Sequence, residues 1–80
     1  MIEYSFHAKD MMQERGISEN LVQRTIEEFD RTELGQDGNN HFYKAISEKD
    51  GRCLHVIVNQ TVSPWKVVTV FFDRRARTIR

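Results

Sequence analysis

The sequence has a single cysteine, Cys53, a single proline and no long apolar run. One cysteine excludes an internal disulfide, and no spacing of cysteine and histidine resembles a structural zinc site. No stretch approaches the ~18 apolar residues that a membrane span needs, and no apolar stretch follows a basic start. These absences predict a cytoplasmic protein without a metal or another cofactor.

The length and the charge pattern narrow the class of protein. Eighty residues build one domain, 1–80, and are too few for two cores. Such a domain buries only roughly 60% of its unfolded surface, so a partner is the most natural extra source of stability. Residues 1–37 carry nine acids against four bases, and residues 38–80 carry eight bases against three acids. Either the basic half meets an anionic partner, or the two halves neutralise each other within the fold.

The first third of the chain predicts two helices. Ser5 can cap a helix that ends about ten residues later, where Gly16 can adopt the left-handed conformation. Ser18 can cap a second helix, with Ile17 and Val22 placed as a hydrophobic staple. The second helix has an apolar face at helical spacing, made of Leu21, Val22, Ile26 and Phe29.

The rest of the chain predicts strands. Residues 30–40 contain two glycines and an Asn-Asn pair, which indicates a loop. Asp50-Gly51 is a hairpin turn signal, and β-branched residues are frequent after it. The predicted strands are 41–47, 52–59 and 65–73, and residues 74–80 form either a short edge strand or a basic tail. The predicted fold is α+β, with two N-terminal helices on one face of a three- to four-stranded antiparallel sheet.

Alternation along the predicted strands selects candidate site residues. His55 lies mid-strand on the face away from the helices, beside exposed apolar surface, which indicates a binding surface. Thr69 shares that face if the register of the last hairpin allows it. Tyr43 and Lys44 point to opposite faces, so at most one of them can join such a site. The other face of the His55 strand packs on the helices and consists of Leu54, Val56 and Val58.

On the first helix, His7, Met11 and Arg15 are four residues apart and ascend one side. A helical wheel places Arg15 along the buried stripe and His7 at its edge. A cation there either binds a ligand or bends out from the helix end towards the last carbonyls. Taken alone, the position of Arg15 favours the second interpretation.

Three segments carry a family resemblance: Ser5-Phe6-His7-Ala8, Glu14-Arg15-Gly16-Ile17-Ser18 and Val68-Thr69-Val70. They resemble a small prokaryotic family of domains of unknown function. Its members read approximately H-A-x-x-R-M-x-E-R-G-I-S at the start and end in a T-V strand. That family is grouped with the metal-independent ribonuclease fold of barnase, EndoU, the tRNase colicins and the RelE-type toxins.

The resemblance implies which residues are functional. His7 matches the family histidine, Arg15 its second arginine and Thr69 the threonine of the closing strand. Met11 stands where the family commonly has its first arginine. In such an activity His7 or His55 serves as base or acid, Arg15 supplies a phosphate contact and Thr69 a hydrogen bond. Lys44, Arg52 or Lys66 supplies further positive charge for RNA binding, and the RNA backbone is expected to be held by Arg74, Arg75, Arg77 and Arg80.

The sequence therefore predicts a toxin-like, metal-independent ribonuclease domain from a prokaryote or mobile element. The sequence leaves two alternatives open. In one, the main property of the protein is binding a cognate antitoxin. In the other, it is a catalytically silent protein-binding module or regulator of the same fold, which Met11 favours. RNA and an antitoxin are thus the expected partners, and the sequence leaves the oligomeric state open.

Overall fold

A computed structural model describes residues 2–74 of the chain. No helix in that range is long and apolar enough to cross a membrane. Two α-helices and five β-strands follow each other along the chain, with a 3-10 turn at Ser47–Lys49. Their bounds are β1 Ile2–Tyr4, α1 Phe6–Arg15, α2 Glu19–Glu27, β2 Arg31–Leu34, β3 Asn40–Ile46, β4 Arg52–Asn59 and β5 Trp65–Phe72.

Both helices begin where their sequence signals predict, and α1 also ends there. α2 ends at Glu27, so Phe29, predicted on its apolar face, lies beyond the helix. The Ser5 hydroxyl accepts a hydrogen bond from the Ala8 N–H at 3.0 Å, and the Ser18 hydroxyl accepts one from the Leu21 N–H at 3.1 Å. Gly16 ends α1 with φ 65°, a conformation that costs glycine nothing. The caps satisfy backbone donors that a helix start leaves without partners.

The sheet has five strands and is mixed, in the order β1-β5-β4-β3-β2. The sheet therefore has one or two more strands than the predicted three- to four-stranded antiparallel sheet, and one of its pairings is parallel. Strands β2 to β5 pair antiparallel, whereas β1 pairs parallel to β5, with Ile2 opposite Trp65. The segment 30–40, predicted as a loop, contains β2. All four residues of β2 are exposed, so the strand has no buried apolar face that its sequence pattern could reveal.

The two faces of the sheet have different roles. Ala8 and Met12 of α1, and Val22 and Ile26 of α2, join one core with the alternate strand residues Phe42, Leu54, Val56, Val58, Val67 and Val70. The opposite face has no helix among residues 2–74. We call it the helix-free face; register and alternation give it Arg31, Glu33, His41, Tyr43, Cys53, His55, Ile57, Thr69 and Phe71.

Candidate functional site

His55 lies at the centre of the helix-free face and is 6% exposed. Its ring packs between two aromatic neighbours on the adjacent strands. The Tyr43 ring centroid is 4.2 Å away on β3, and the Phe71 centroid is 4.7 Å away on β5. These are the residues directly opposite His55 in the two ladders. The prediction that His55 points away from the helices is confirmed.

His55 belongs to a row of four side chains that we call the histidine bridge: Asp37, His41, His55 and Asp73. His41 Nδ1 lies 2.8 Å from His55 Nε2. At one end, His55 Nδ1 lies 3.1 Å from Asp73 Oδ2. At the other, His41 Nε2 lies 3.3 Å from each oxygen of Asp37. The bridge thus runs from the buried middle of the sheet to an exposed turn.

Hydrogen-bonding rules fix the number of protons in a fully bonded bridge. A carboxylate only accepts, so His55 Nδ1 donates to Asp73 and His41 Nε2 donates to Asp37. The contact between the two rings needs one further proton. When that proton is present, three protons occupy four ring nitrogens, and the two carboxylates at the ends stabilise the resulting positive charge.

The environment lowers the pKa of two members of the bridge, His55 and Asp37. Burial lowers the pKa of His55 below its usual 6.5, and the nearby charge of His41 lowers it further, against the raising effect of Asp73. The pKa of Asp37 is also lowered, first by the Asn39 backbone N–H and then by His41. Burial therefore disfavours a charged His55, and His41 is the more exposed of the two rings.

Three polar side chains border the bridge on the β2 side. The Tyr43 hydroxyl donates to Glu33 Oε2 at 3.0 Å, and the Arg31 guanidinium lies 4.2 Å above the Tyr43 ring centroid. Glu33 is directly opposite His41 in the β2–β3 ladder. Burial and the Glu33 carboxylate raise the pKa of Tyr43, so its hydroxyl stays protonated. A carboxylate, an imidazole and a guanidinium therefore lie side by side on an open surface.

The other predicted catalytic residues divide between the two sides of the sheet. Thr69 lies opposite Ile57 on the helix-free face, so it shares a face with His55 as predicted. His7 and Arg15 are exposed on α1, and that helix packs against the opposite face. Arg15 does not lie in the buried stripe. One site therefore cannot contain all four residues.

The predicted RNA-binding cations do not form one surface. Lys44 Nζ donates to the Glu28 carbonyl at the end of α2, 3.0 Å away, and so lies on the helix side. The Arg52 guanidinium lies 4.5 Å from the centroid of the Phe72 ring, which packs against the core. Lys66 is exposed beside β1, and Arg74 is exposed after β5. Arg75, Arg77 and Arg80 lie outside the described residues.

The described part of the chain has no set of side chains placed to bind a metal ion. Within residues 2–74, no group of three or more His, Cys, Asp or Glu side chains is arranged to hold a metal ion. The two histidines of the bridge direct nitrogen atoms at each other at hydrogen-bond distance. Cys53 is buried on the same face, and burial raises the pKa of its thiol.

One comparison with known proteins decides the family. The family described as a domain of unknown function, DUF4258, matches residues 4–72. The chain belongs to the DUF4258 family. The match covers both helices, β2 to β5 and every residue of the histidine bridge except Asp73. No curated protein and no solved structure matches the chain significantly.

Sequence reasoning missed most of the site of this DUF4258 domain, although one signal was available. His41 is the second residue of β3 and belongs to no motif. However, a hairpin centred on Lys49 pairs Tyr43 with His55, as the structure does. His41 is two residues from Tyr43 and therefore lies diagonal to His55 on the same face. That register would have located the histidine pair from the sequence.

The stability of the DUF4258 domain is expected to fall as the pH drops below about 6.5. The folded pKa of His55 is lower than its unfolded value, so the unfolded chain binds the proton more readily. The contribution of His55 to the free energy of unfolding is complete above the pKa of the unfolded chain. As the pH falls from that value towards the folded pKa, this contribution is lost by at most about 1.4 kcal/mol per pH unit. The lowered pKa of Asp37 places its own effect at more acidic pH.

Urea unfolding between pH 5 and pH 8 measures this dependence. The His55→Gln variant should lose that part of the slope. His7→Gln removes an exposed histidine from α1 and should keep it. An unchanged slope in His55→Gln would show that His55 is not the group responsible.

Proposed function

We propose that this domain is a metal-independent, toxin-type endoribonuclease and that its active surface is the helix-free face. The observation that carries the proposal is the hydrogen-bonded pair of His41 and His55 on that open face, beside Glu33 and Arg31. Metal-free RNA cleavage requires a base, an acid and a cation, and these side chains supply all three. The family resemblance independently favours the same activity.

The proposed reaction is attack of the RNA 2′-hydroxyl on the adjacent phosphate. Glu33 accepts the 2′-hydroxyl proton as the 2′-oxygen bonds to phosphorus. The bond from phosphorus to the 5′-oxygen breaks, and His41 donates its Nε2 proton to that leaving oxygen. The products are a 2′,3′-cyclic phosphate and a 5′-hydroxyl. Arg31 stabilises the negative charge on the phosphorane by a bidentate contact.

His55 acts through His41 in this scheme and is a positioning residue. Its Nε2 bonds His41 Nδ1, while Asp73 holds its other nitrogen. This row fixes the orientation of the His41 ring, as a carboxylate does for a catalytic histidine. Asp37 lies on the exposed turn and holds the His41 N–H until the substrate replaces it.

The test is cleavage of a labelled RNA oligonucleotide by purified protein in the presence of EDTA. His41→Ala is expected to lower the rate by about 10²- to 10⁴-fold, because it removes the acid. An oligonucleotide with a single 2′-deoxy sugar at the cleavage site should be resistant. If cleavage instead requires His7 and Arg15, the active surface is α1. If the unmodified protein and its variants all fail to cleave RNA, the assignment is wrong.

A second candidate function follows from Met11. This residue is partly buried and packs against the core, where the resembling family commonly has an arginine. A chain that uses this position for packing fits a catalytically silent protein-binding module, such as the target of an antitoxin. Normal growth and intact RNA on strong expression without any partner would favour this function over cleavage.

A further inference from the structure

β2 forms one edge of the sheet, and no other strand within residues 2–74 lies beyond it. All four of its residues, Arg31–Leu34, are exposed. An uncovered edge strand presents unpaired N–H and C=O groups and is a template for a further strand. The edge also exposes apolar surface on the helix side, because Leu34 is 72% and Phe29 43% exposed.

The closing of the β2–β3 hairpin shows which backbone groups face outward. The Gly35 N–H donates to the Asn39 carbonyl at 2.9 Å. Hydrogen-bonded pairs alternate with non-hydrogen-bonded pairs along an antiparallel ladder. Arg31 and Glu33 are therefore in hydrogen-bonded pairs with β3, and the N–H and C=O of Thr32 and Leu34 point to the free edge.

We propose that β2 pairs antiparallel with β2 of a second copy of this chain, about a two-fold axis through Thr32. A two-fold axis perpendicular to the sheet keeps the helices of both copies on one side. Residues that face each other across the axis must then have numbers that are both even or both odd, so that their side chains lie on the same face. Thr32 then exchanges two backbone hydrogen bonds with Thr32 of the second copy. This interface uses Arg31 and Glu33, which the ribonuclease proposal also uses, but its tests measure association and not cleavage.

Charge selects this register among those that parity allows. With Thr32 opposite itself, Arg31 of each copy faces Glu33 of the other in a non-hydrogen-bonded pair, where side chains are closest. A shift in one direction puts Glu33 opposite Glu33, and a shift in the other puts Arg31 opposite Arg31. Like charges directly opposite are destabilising. Only the register with Thr32 opposite Thr32 gives two ion pairs, each between an arginine and a glutamate.

The apolar residues fit the same register. Leu34 lies just beyond Arg31 of the second copy, towards its Phe29, which contacts Phe42 on the helix side. The two-fold axis thus brings together two exposed apolar side chains from each copy, Leu34 and Phe29. Their burial adds a hydrophobic contribution to a short strand pairing. The result is a continuous ten-stranded sheet with both helix-free faces on one side.

Sedimentation of the full chain over a range of concentrations tests the dimer. Thr32→Pro removes an N–H that faces solvent in the single copy, a position where an edge strand tolerates proline. We expect this variant to stay folded by circular dichroism and to weaken dimerisation about tenfold to a hundredfold. A chain that is monomeric at all concentrations, or a Thr32→Pro chain that dimerises as before, would overturn the proposal.

Charge exchange tests the register directly. Arg31→Glu and Glu33→Arg should each weaken the homodimer, because each creates two like-charge pairs across the axis. Mixing the two variants should restore a dimer containing one copy of each, since every facing pair is then of opposite sign. Equal association of all combinations would show that this register is wrong, whatever the activity of the variants.

Discussion

Gly35→Ala is expected to abolish RNA cleavage almost as fully as removal of the His41 imidazole, while the domain stays folded. A Cβ at position 35 would overlap the His41 ring and come within 2.7 Å of Asp37 Oδ1. Both neighbours are side-chain ends and can move aside, so the backbone need not shift, and the lost bond to buried His55 costs about 1–3 kcal/mol. The moved ring loses its contact with His55, and a displacement of about 1 Å costs about 10²-fold in rate.

Gly38→Ala is the matched control, because it lies in the same turn. Its φ of 82° disfavours alanine, but a Cβ there meets nothing within 4 Å. We expect Gly38→Ala to lose about 1 kcal/mol of stability and to keep its cleavage rate. Rate measurements paired with urea unfolding separate the two effects. Full activity in Gly35→Ala would mean that the histidine bridge does not set the rate.

Leu54→Ala is expected to produce the largest loss of stability. Leu54 is completely buried in the core between the sheet and the helices. Its replacement removes buried apolar surface and leaves a cavity, which costs about 3–4 kcal/mol. A domain of this size has a free energy of unfolding of roughly 4–12 kcal/mol. Chemical denaturation should therefore show a much lower midpoint with an unchanged slope.

The same substitution at Leu34 provides the control for Leu54→Ala. Leu34 is 72% exposed at the sheet edge, so in dilute solution its replacement should change the free energy of unfolding by less than about 0.5 kcal/mol. A comparable loss at both positions would contradict the core as described here.

The parts of the fold that could be predicted depend on local signals. The caps at Ser5 and Ser18 and the turn at Asp50-Gly51 each act within a few residues, and they position both helices and the β3–β4 hairpin correctly. β1 has only three residues, and it is defined by parallel pairing with β5, far along the chain. β2 is exposed on all four residues. Neither strand has a periodicity that a sequence can reveal.

The site could be predicted only in part, because it depends on cross-strand register. Alternation along β4 placed His55 on the helix-free face, and the structure agrees. The neighbours that give His55 its chemistry come from three other segments. His41 and Glu33 belong to adjacent strands, and Asp73 follows β5. His7 and Arg15 lie on α1, across the sheet from them.

The pairing of β1 with β5 has a consequence for synthesis on the ribosome. Ser5, just after β1, donates its hydroxyl to the Val68 carbonyl across 63 positions of sequence. At about 5–20 residues per second, the nascent chain waits roughly 3–13 s before its partner is translated. Until then β1 has nothing to pair with, and Ala8 and Met12 of α1 lack much of their packing surface. The nascent chain is therefore accessible to proteases and chaperones for that interval. A chain truncated before β5 should be degraded quickly in cells.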